Sequence, residues 1–258
     1  MSAPQFENIE IAVDGAIGHL MLNNPKKLNP LSPTTLQAIA EAANWFDEQA
    51  DVKVVIVGGH GRAFSAGADL SGFKNVDLST RRGFADHGRR MAEALETMRP
   101  LAIARLQGWC VGGGLVVAAA CDLRVAADTA RFSIPEVDLG IGLAWGGIPR
   151  LVREIGPAMT KELVLTCREF SPAEAKACGF LNRVVDESEL EACVDELARS
   201  LAGKAGYPLT ITKRHVNAVT AQAFGTVRAW SDADALLTAF VDPECDEVRK
   251  AYLQSRGR

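Results

Sequence analysis

Short apolar runs, separated by turn residues, recur along the first half of the chain and predict strands. Ile9 to Val13 and Ile17 to Leu22 are expected to pair across Asp14–Gly15, a dipeptide favoured in hairpin turns. The β-branched run from Val54 to Val57 and the apolar run from Leu101 to Leu106 predict two more strands. Strand, turn and helix patterns alternate along this part of the chain, which indicates a mixed α/β fold.

Capping residues predict where two helices begin, and the last part of the chain is predicted to be helical. Ser32 followed by Pro33 is typical of a capped helix start, because the hydroxyl accepts a backbone N–H and proline suits the first helical position. The sequence Ser171–Pro172–Ala173–Glu174 is a capping box, and Gly179 ends the short helix that it begins. Helical patterns dominate from residue 188 onward, so the chain ends in a helical region.

Composition and charge exclude several classes of protein. The chain has 258 residues, 48% of them hydrophobic, and a net charge of −4, which argues against a nucleic-acid-binding protein. Its N-terminus lacks a signal-peptide pattern, and no apolar run approaches the roughly 18 residues that span a bilayer. The six cysteines form no C-x-x-C pair and the four histidines are scattered, so we expect reduced thiols and no metal site. These features predict a cytoplasmic protein without a membrane segment.

The first candidate site follows the strand from Leu101 to Leu106. Gly108 ends that strand, and Gly112–Gly113–Gly114 then opens an apolar, alanine-rich run that is typical of a buried helix. The first N–H groups of a helix have no partner within it, and glycine lets a ligand approach them closely. An alternative is that the glycines only allow close helix packing. The stretch matches neither G-x-G-x-x-G nor a P-loop, which disfavours a nucleotide phosphate.

A second stretch has the same organisation. The strand from Val54 to Val57 runs into small residues between Gly58 and Leu70, again at what resembles a helix start. Two backbone N–H groups from two such turns could hold one developing oxyanion.

These motifs closely resemble the crotonase superfamily, which is also called the enoyl-CoA hydratase/isomerase family. The matching segments follow the family's order from about Phe6 to the C-terminus: Asn24–Pro25–Lys26–Lys27–Leu28–Asn29, Phe64–Ser65–Ala66–Gly67–Ala68–Asp69, Gly112–Gly113–Gly114 with Cys121–Asp122, and Phe132 to Gly140.

The resemblance implies a fold and an assembly. It implies a crotonase-type ββα spiral over residues 1–187 and a C-terminal helical oligomerisation region over residues 188–258. Family members form trimers that often pair as hexamers, and we expect a homotrimer or hexamer here. The apolar residues that we expect to need a partner are Leu190, Leu197, Leu201, Leu236, Leu237 and Phe240.

The resemblance also implies the catalytic groups. By motif position, the backbone N–H groups of Ala68 and Gly113 are the oxyanion donors. Glu136 occupies the position of one family acid, although a carboxylate after a proline could instead cap a loop. Two-glutamate hydratases carry a second acid three residues after the middle glycine, where this chain has Val116. Asp138 is a weaker candidate, since it would share a face with Glu136 in an extended segment.

Further positions are implied to contact an acyl-CoA thioester, which needs no cofactor because coenzyme A is part of the substrate. Lys26 and Arg62 lie where the family meets CoA phosphate, although both could be ordinary surface residues. Ala66 and Leu70 flank the pocket at the pantetheine and adenine ends. Asp69, Val116 and Trp145 complete the expected set; Asp69, like Asp122, has a position that looks structural, and Trp145 either narrows the acyl pocket or packs beneath it.

A single glutamate with an aliphatic partner resembles the family's isomerases, which convert 3-enoyl-CoA to 2-enoyl-CoA. Moving one proton from C2 to C4 needs no activated water, so one base suffices. Two alternatives stay open: a hydratase or acyl-CoA hydrolase with another water-holding residue, and a catalytically silent acyl-CoA-binding protein. The sequence does not specify the acyl group.

Overall fold

Two parallel-rich sheets and the helices around them account for the fold. The computed structural model describes residues 4–69, 78–229 and 231–256. Its strands are β1 (Ile9–Asp14), β2 (Ile17–Leu22), β3 (Val54–Gly59), β4 (Ala63–Ser65), β5 (Leu101–Leu106), β6 (Trp109–Val111), β7 (Leu123–Ala127), β8 (Arg131–Ser133) and β9 (Arg183–Val185). Its helices are α1 (Pro33–Glu48), α2 (Leu78–Thr97), α3 (Gly113–Ala120), α4 (Gly147–Thr166), α5 (Pro172–Ala177), α6 (Leu190–Ala202), α7 (Gly206–Phe224), α8 (Asp232–Val241) and α9 (Pro243–Ser255).

The strand order confirms the ββα spiral. The larger sheet has the order β1-β2-β3-β5-β7-β9, and the smaller sheet has the order β4-β6-β8. Only the β1–β2 hairpin is antiparallel among these described pairs. The pairs β3–β4, β5–β6 and β7–β8 each give one strand to each sheet before the chain continues towards a helix. The short strands β4, β6 and β8 were not expected from the sequence, because three residues are too few to show a period.

The alternation along β3 explains why its sequence is continuously apolar. Val55 and Val57 face the main core, which also contains residues of α1, α2 and α3. Val54 and Ile56 face the opposite side, where Leu190 and other residues of α6 cover them. A strand that is buried on both faces has no polar side, so its sequence reads as a continuous β-branched run.

The predicted helix caps are present. Ser32 Oγ accepts a hydrogen bond from the Thr35 N–H at 3.1 Å, and Pro33 is the first residue of α1. Ser171 Oγ accepts one from the Glu174 N–H at 3.2 Å at the start of α5. Within the described residues, no helix is long and apolar enough to cross a membrane.

The C-terminal helices pack onto their own chain, which corrects one expectation about the six apolar residues. Leu190, Leu236 and Leu237 are buried within the chain, and Leu197, Leu201 and Phe240 are half-buried against the same clusters. Their burial follows from α6 covering the larger sheet and α8 packing beside α2. The exposed apolar side chains of this region lie mainly on α7: Tyr207, Ile211, Val216 and Val219.

A buried ion pair fixes α7 to the core. Lys213 Nζ donates to Asp122 Oδ2 at 2.8 Å and to the Pro100 carbonyl at 3.0 Å. The same Asp122 oxygen accepts the Ala102 N–H at 2.7 Å. Asp122 therefore has the structural role that its motif position indicates, at the start of β5.

Candidate active site

Five of the predicted site residues line the same pocket. Ala68, Gly113, Val116, Glu136 and Trp145 all line it. The remaining described lining is apolar or glycine and comes from the start of α1, the loop before α4, and α8: Leu31, Pro33, Leu36, Ile141, Gly142, Leu143, Ala144 and Leu236.

Asn29 braces the loop that carries Ala68. Asn29 is buried, and its backbone is in the left-handed conformation, with a φ of 53°. Its Nδ2 donates to the carbonyls of His60, Ala63 and Phe64 at 3.0, 2.9 and 3.2 Å. Its own carbonyl accepts the hydroxyl of Ser65 at 2.8 Å. These bonds tie the loop before α1 to both ends of β4, so the following turn has a fixed position.

The turns of Ala68 and Gly113 lie side by side. A methyl group at Gly67, whose φ is 88°, would lie 2.7 Å from the Val111 carbonyl oxygen and 3.6 Å from the Gly113 nitrogen. Leu31 pairs with the two residues that flank Ala68, because its N–H donates to the Gly67 carbonyl and its carbonyl accepts the Asp69 N–H. Among the hydrogen bonds of the described residues, none uses the N–H of Ala68 or of Gly113. Both residues also line the pocket, so two backbone donors without a partner among the described residues lie at one site.

Glu136 lies against the backbone of Gly112. A methyl group at Gly112 would overlap the carboxyl group, since it would lie 3.1 Å from Cδ and 3.2 Å from Oε2. The φ of Gly112 is 50°, a conformation that side-chain-bearing residues rarely adopt. Glycine is therefore required here for two reasons, and it brings the carboxyl group next to the turn that carries the Gly113 N–H.

Glu136 has an unusual environment for a carboxyl group. The residue is buried, and within the described residues its Oε2 has no hydrogen-bond partner. Burial disfavours the charged form and raises the pKa of Glu136 to about 7, an effect that its own backbone N–H offsets only in part. The group can therefore exist as acid or as base near neutral pH.

Asp138 does not share this environment. Residues 135–141 form a turn rather than an extended segment, in which the Leu139 N–H donates to the Pro135 carbonyl and the Ile141 N–H to the Glu136 carbonyl. Asp138 is exposed, whereas Glu136 is buried. The expectation that the two carboxylates share a face is wrong, because the turn rotates them apart.

The predicted CoA-contact residues are divided between pocket and surface. Lys26 and Arg62 are exposed and lie on neighbouring loops, since a methyl group at Gly61 would lie 2.7 Å from Cβ of Pro25. Ala66 and Asp69 are half-buried, and both use their N–H groups within the protein, on the Leu28 and Leu31 carbonyls. Leu70 lies outside the described residues.

Sequence reasoning missed the residues that support the pocket from a distance in the chain. Arg150, completely buried in α4, donates to the carbonyls of Trp145 and Gly146 at 3.2 Å each. Asp232, at the start of α8, accepts the Gly146 N–H at 2.7 Å. No local pattern marks these residues, because their partners are backbone atoms of a loop that only the fold brings near.

Metal-ligating side chains do not cluster in the described part of the chain. No group of three or more His, Cys, Asp or Glu residues there could hold a metal ion. The six cysteines are free thiols, three of them buried.

Comparison with known proteins gives one consistent family. A family model for enoyl-CoA hydratase/isomerase matches residues 12–256. The chain is 32% identical to a short-chain-enoyl-CoA hydratase of Clostridium acetobutylicum, with 92% of this chain and 96% of that protein covered. It is 33% identical to a peroxisomal Delta(3,5)-Delta(2,4)-dienoyl-CoA isomerase of Arabidopsis thaliana, with 99% and 98% covered. A crystal structure of an enoyl-CoA hydratase from Mycobacterium avium subsp. paratuberculosis superposes with a TM-score of 0.86 at 25% identity, covering 96% of this chain and all of that chain.

The raised pKa of Glu136 predicts a pH-dependent stability difference. A group whose pKa is raised by folding favours the folded state below its unfolded pKa, and that contribution is lost as the pH rises through the folded value. Glu136→Gln removes the titration. As the pH rises from about 4.5 to about 7, the variant should therefore gain stability relative to the natural protein by on the order of 3 kcal/mol, and the difference should stay constant at higher pH. Denaturant unfolding at several pH values, at one fixed protein concentration, measures this; a difference that does not change with pH would contradict it.

Proposed function

The chain belongs to the enoyl-CoA hydratase/isomerase family, and we propose that within this family it is an isomerase that converts 3-enoyl-CoA to 2-enoyl-CoA. One observation carries the proposal: among the described residues that line the pocket, Glu136 is the one titratable side chain, and an aliphatic residue, Val116, lines the same pocket. Membership of the family makes the chain an enzyme that acts on acyl-CoA thioesters.

Two backbone donors supply the electrostatic part of the mechanism. When C2 of a thioester loses a proton, negative charge develops on the carbonyl oxygen. The unused N–H groups of Ala68 and Gly113 are fixed by the fold before the substrate arrives, so they stabilise that charge without reorganising. Gly113 is also the first residue of α3, where the helix dipole favours negative charge.

Glu136 supplies the proton transfer. As a carboxylate it takes a proton from C2 and forms a dienolate whose charge the two N–H groups hold. As the resulting carboxylic acid it returns a proton to C4, which leaves the double bond between C2 and C3. No water is consumed, and the base is regenerated. A pKa of about 7 suits both steps, because general acid–base catalysis is most effective when the pKa lies near the working pH.

Val116 favours isomerisation over hydration. Hydration needs a water molecule that is oriented for attack on C3, and a valine side chain can neither accept nor donate a hydrogen bond to it. The apolar lining disfavours a stably bound water beside Glu136, because such a water needs two to four polar partners.

Hydration is the second candidate, and the names of relatives favour it. The relative from Clostridium acetobutylicum and one from Syntrophomonas wolfei, 33% identical over 97% of this chain, are named as hydratases. The relative from Arabidopsis thaliana is named as an isomerase at the same level of identity. Identity alone therefore does not separate the two reactions, and the proposal is supported instead by the single carboxyl group and the valine among the described residues that line the pocket.

Contacts with the CoA part of the substrate follow from the two exposed basic residues. Lys26 and Arg62 lie on neighbouring loops next to the segment that carries Ala66 and Ala68. We assign them to CoA phosphate groups, which need positive charge outside the apolar pocket. The acyl group then lies inside, with Val116 and Trp145 as its walls.

Assembly into a trimer or hexamer belongs to the same proposal. α7 presents Tyr207, Ile211, Val216 and Val219, with exposures of 78%, 45%, 55% and 58%. Several exposed apolar side chains on one helix are typical of an interaction surface.

The catalytic assignment predicts the effect of replacing Glu136. Glu136→Gln keeps size and polarity but cannot act as a base, so isomerisation should slow by a factor of about 10² to 10⁴. Asp138→Asn is the matched control, since it removes an exposed carboxylate two residues away and should leave the rate unchanged. The assay follows 3-enoyl-CoA and 2-enoyl-CoA separately. Full activity of Glu136→Gln would refute the assignment.

The Val116 argument predicts a change of reaction. Val116→Glu places a second carboxyl group in the pocket and should introduce hydration of 2-enoyl-CoA, with some loss of stability because the site is apolar. Val116→Gln has similar size without a base, and it should introduce much less hydration. If the natural protein hydrates 2-enoyl-CoA efficiently and ignores 3-enoyl-CoA, the isomerase proposal is wrong and the hydratase candidate replaces it.

The assembly is tested by sedimentation velocity at micromolar protein concentration. We expect the mass of a trimer or hexamer. Val216→Lys combined with Val219→Lys places charges on exposed positions of α7 and should weaken the assembly. Thr238→Lys is the control: it places a charge on an exposed position of α8 and should leave the assembly unchanged. A natural protein that sediments only as a monomer contradicts the expectation.

A further inference from the structure

We propose that Trp145 is the end wall of the acyl pocket and restricts this enzyme to short acyl chains. The inference rests on the proposed function, and it adds the substrate class. It is carried by the position of the indole, by the hydrogen bonds that hold the backbone beside it, and by its contact with Gly113.

The indole fills the space between α2 and α3. Trp145 is only 7% exposed. A methyl group at Gly88, in α2, would overlap the indole, and one at Gly113, in α3, would lie 2.8 Å from Cη2. Since neither glycine has a side chain, the tryptophan occupies the room that two side chains would otherwise fill. Among the described residues, the backbone of α2 is what lies directly behind it.

Three helices, α2, α4 and α8, hold the backbone of Trp145 and Gly146. Trp145 has a left-handed backbone with a φ of 62°, which is uncommon for a large residue. Arg150 of α4 donates to its carbonyl, and Glu96 of α2 binds the same guanidinium at 2.5 Å. Asp232 of α8 accepts the N–H of the next residue, Gly146, at 2.7 Å. These bonds fix the backbone in the left-handed conformation, and packing against Gly88 and Gly113 confines the ring.

The wall stands close to the reacting end of the substrate. Gly113 carries one of the two N–H groups that we assign to the thioester oxygen, and the indole contacts that same residue. The acyl carbons that follow the thioester therefore have little length available before they meet the ring. Leu143 and Leu236 bound the pocket on other sides, which leaves the apolar lining suited to a short chain.

The proposal is tested by the affinities of saturated acyl-CoA thioesters, which bind but cannot isomerise. Isothermal titration with butanoyl-, hexanoyl-, octanoyl- and decanoyl-CoA reads the length of the pocket independently of the chemistry. For the natural protein we expect the affinity to stop rising, or to fall, beyond hexanoyl-CoA. For Trp145→Ala we expect the affinity to keep rising by about fourfold for each added methylene, the value for burial of a CH₂ group.

Two further variants keep the test decisive if Trp145→Ala folds poorly. Trp145→Phe shortens the wall and should move the limit by a smaller step. Asp232→Ala removes the bond to Gly146 and should relax the limit without changing the indole. Trp45→Ala is the matched control, because Trp45 is half-buried in α1 beside Phe46 and does not line the pocket. Its chain-length profile should equal that of the natural protein.

The outcomes separate this inference from the proposed function. A folded Trp145→Ala variant with the same chain-length profile as the natural protein contradicts the role of Trp145 as the end wall. That result does not bear on the proposed isomerisation or on its dependence on Glu136. A natural protein that binds octanoyl- and decanoyl-CoA progressively more tightly contradicts the role of Trp145 as well. Failure of the natural protein to bind any acyl-CoA overturns the proposed function and the wall together.

Discussion

Parallel pairing between β4 and β6 brings two turns from distant parts of the chain to the same edge of the smaller sheet. Ala63 lies opposite Trp109 and Ser65 opposite Cys110, with a register shift between them, so β4 ends one residue before β6. Ala68 and Gly113, three and two residues after those strand ends, then line one pocket. Asn29 fixes one side of this arrangement through hydrogen bonds from its side-chain amide to three carbonyls. This pairing places the two turns that carry Ala68 and Gly113 at the same pocket.

The burial of Glu136 affects both the stability of the folded protein and the pKa of its carboxyl group. Its carboxyl group is buried beside Gly112, with one oxygen unpartnered within the described residues. Such burial destabilises the folded protein when the group is charged. The same burial raises the pKa to about 7, which makes proton transfer in both directions feasible at neutral pH. An ion pair that stabilised the carboxylate would lower the pKa and remove this property.

The pocket is closed by elements that come late in the chain. Leu236 of α8 lines it, and Asp232 of α8 and Arg150 of α4 hold the backbone beside Trp145. The buried pair of Lys213 and Asp122 joins α7 to the start of β5 in the same way. The helical region after residue 188 therefore supports the site in its own chain, in addition to any role in assembly. The division of the chain at residue 188 stays a prediction.

The sequence by itself determined the elements whose cause is local. The hairpin at Asp14–Gly15, the caps at Ser32 and Ser171, and the doubly buried strand β3 follow from turn chemistry, capping and β-branched runs, and all are present. The motif positions also placed Ala68, Gly113 and Glu136, which meet in one pocket. Only the tertiary structure decided the three-residue strands, the separation of Asp138 from Glu136, and the roles of Arg150, Asp232 and Leu236. The separation of the two carboxylates follows from backbone hydrogen bonds of a local turn. The short strands and the roles of the three supporting residues depend on contacts between residues far apart in the chain, made largely through backbone groups that carry no residue-specific signal.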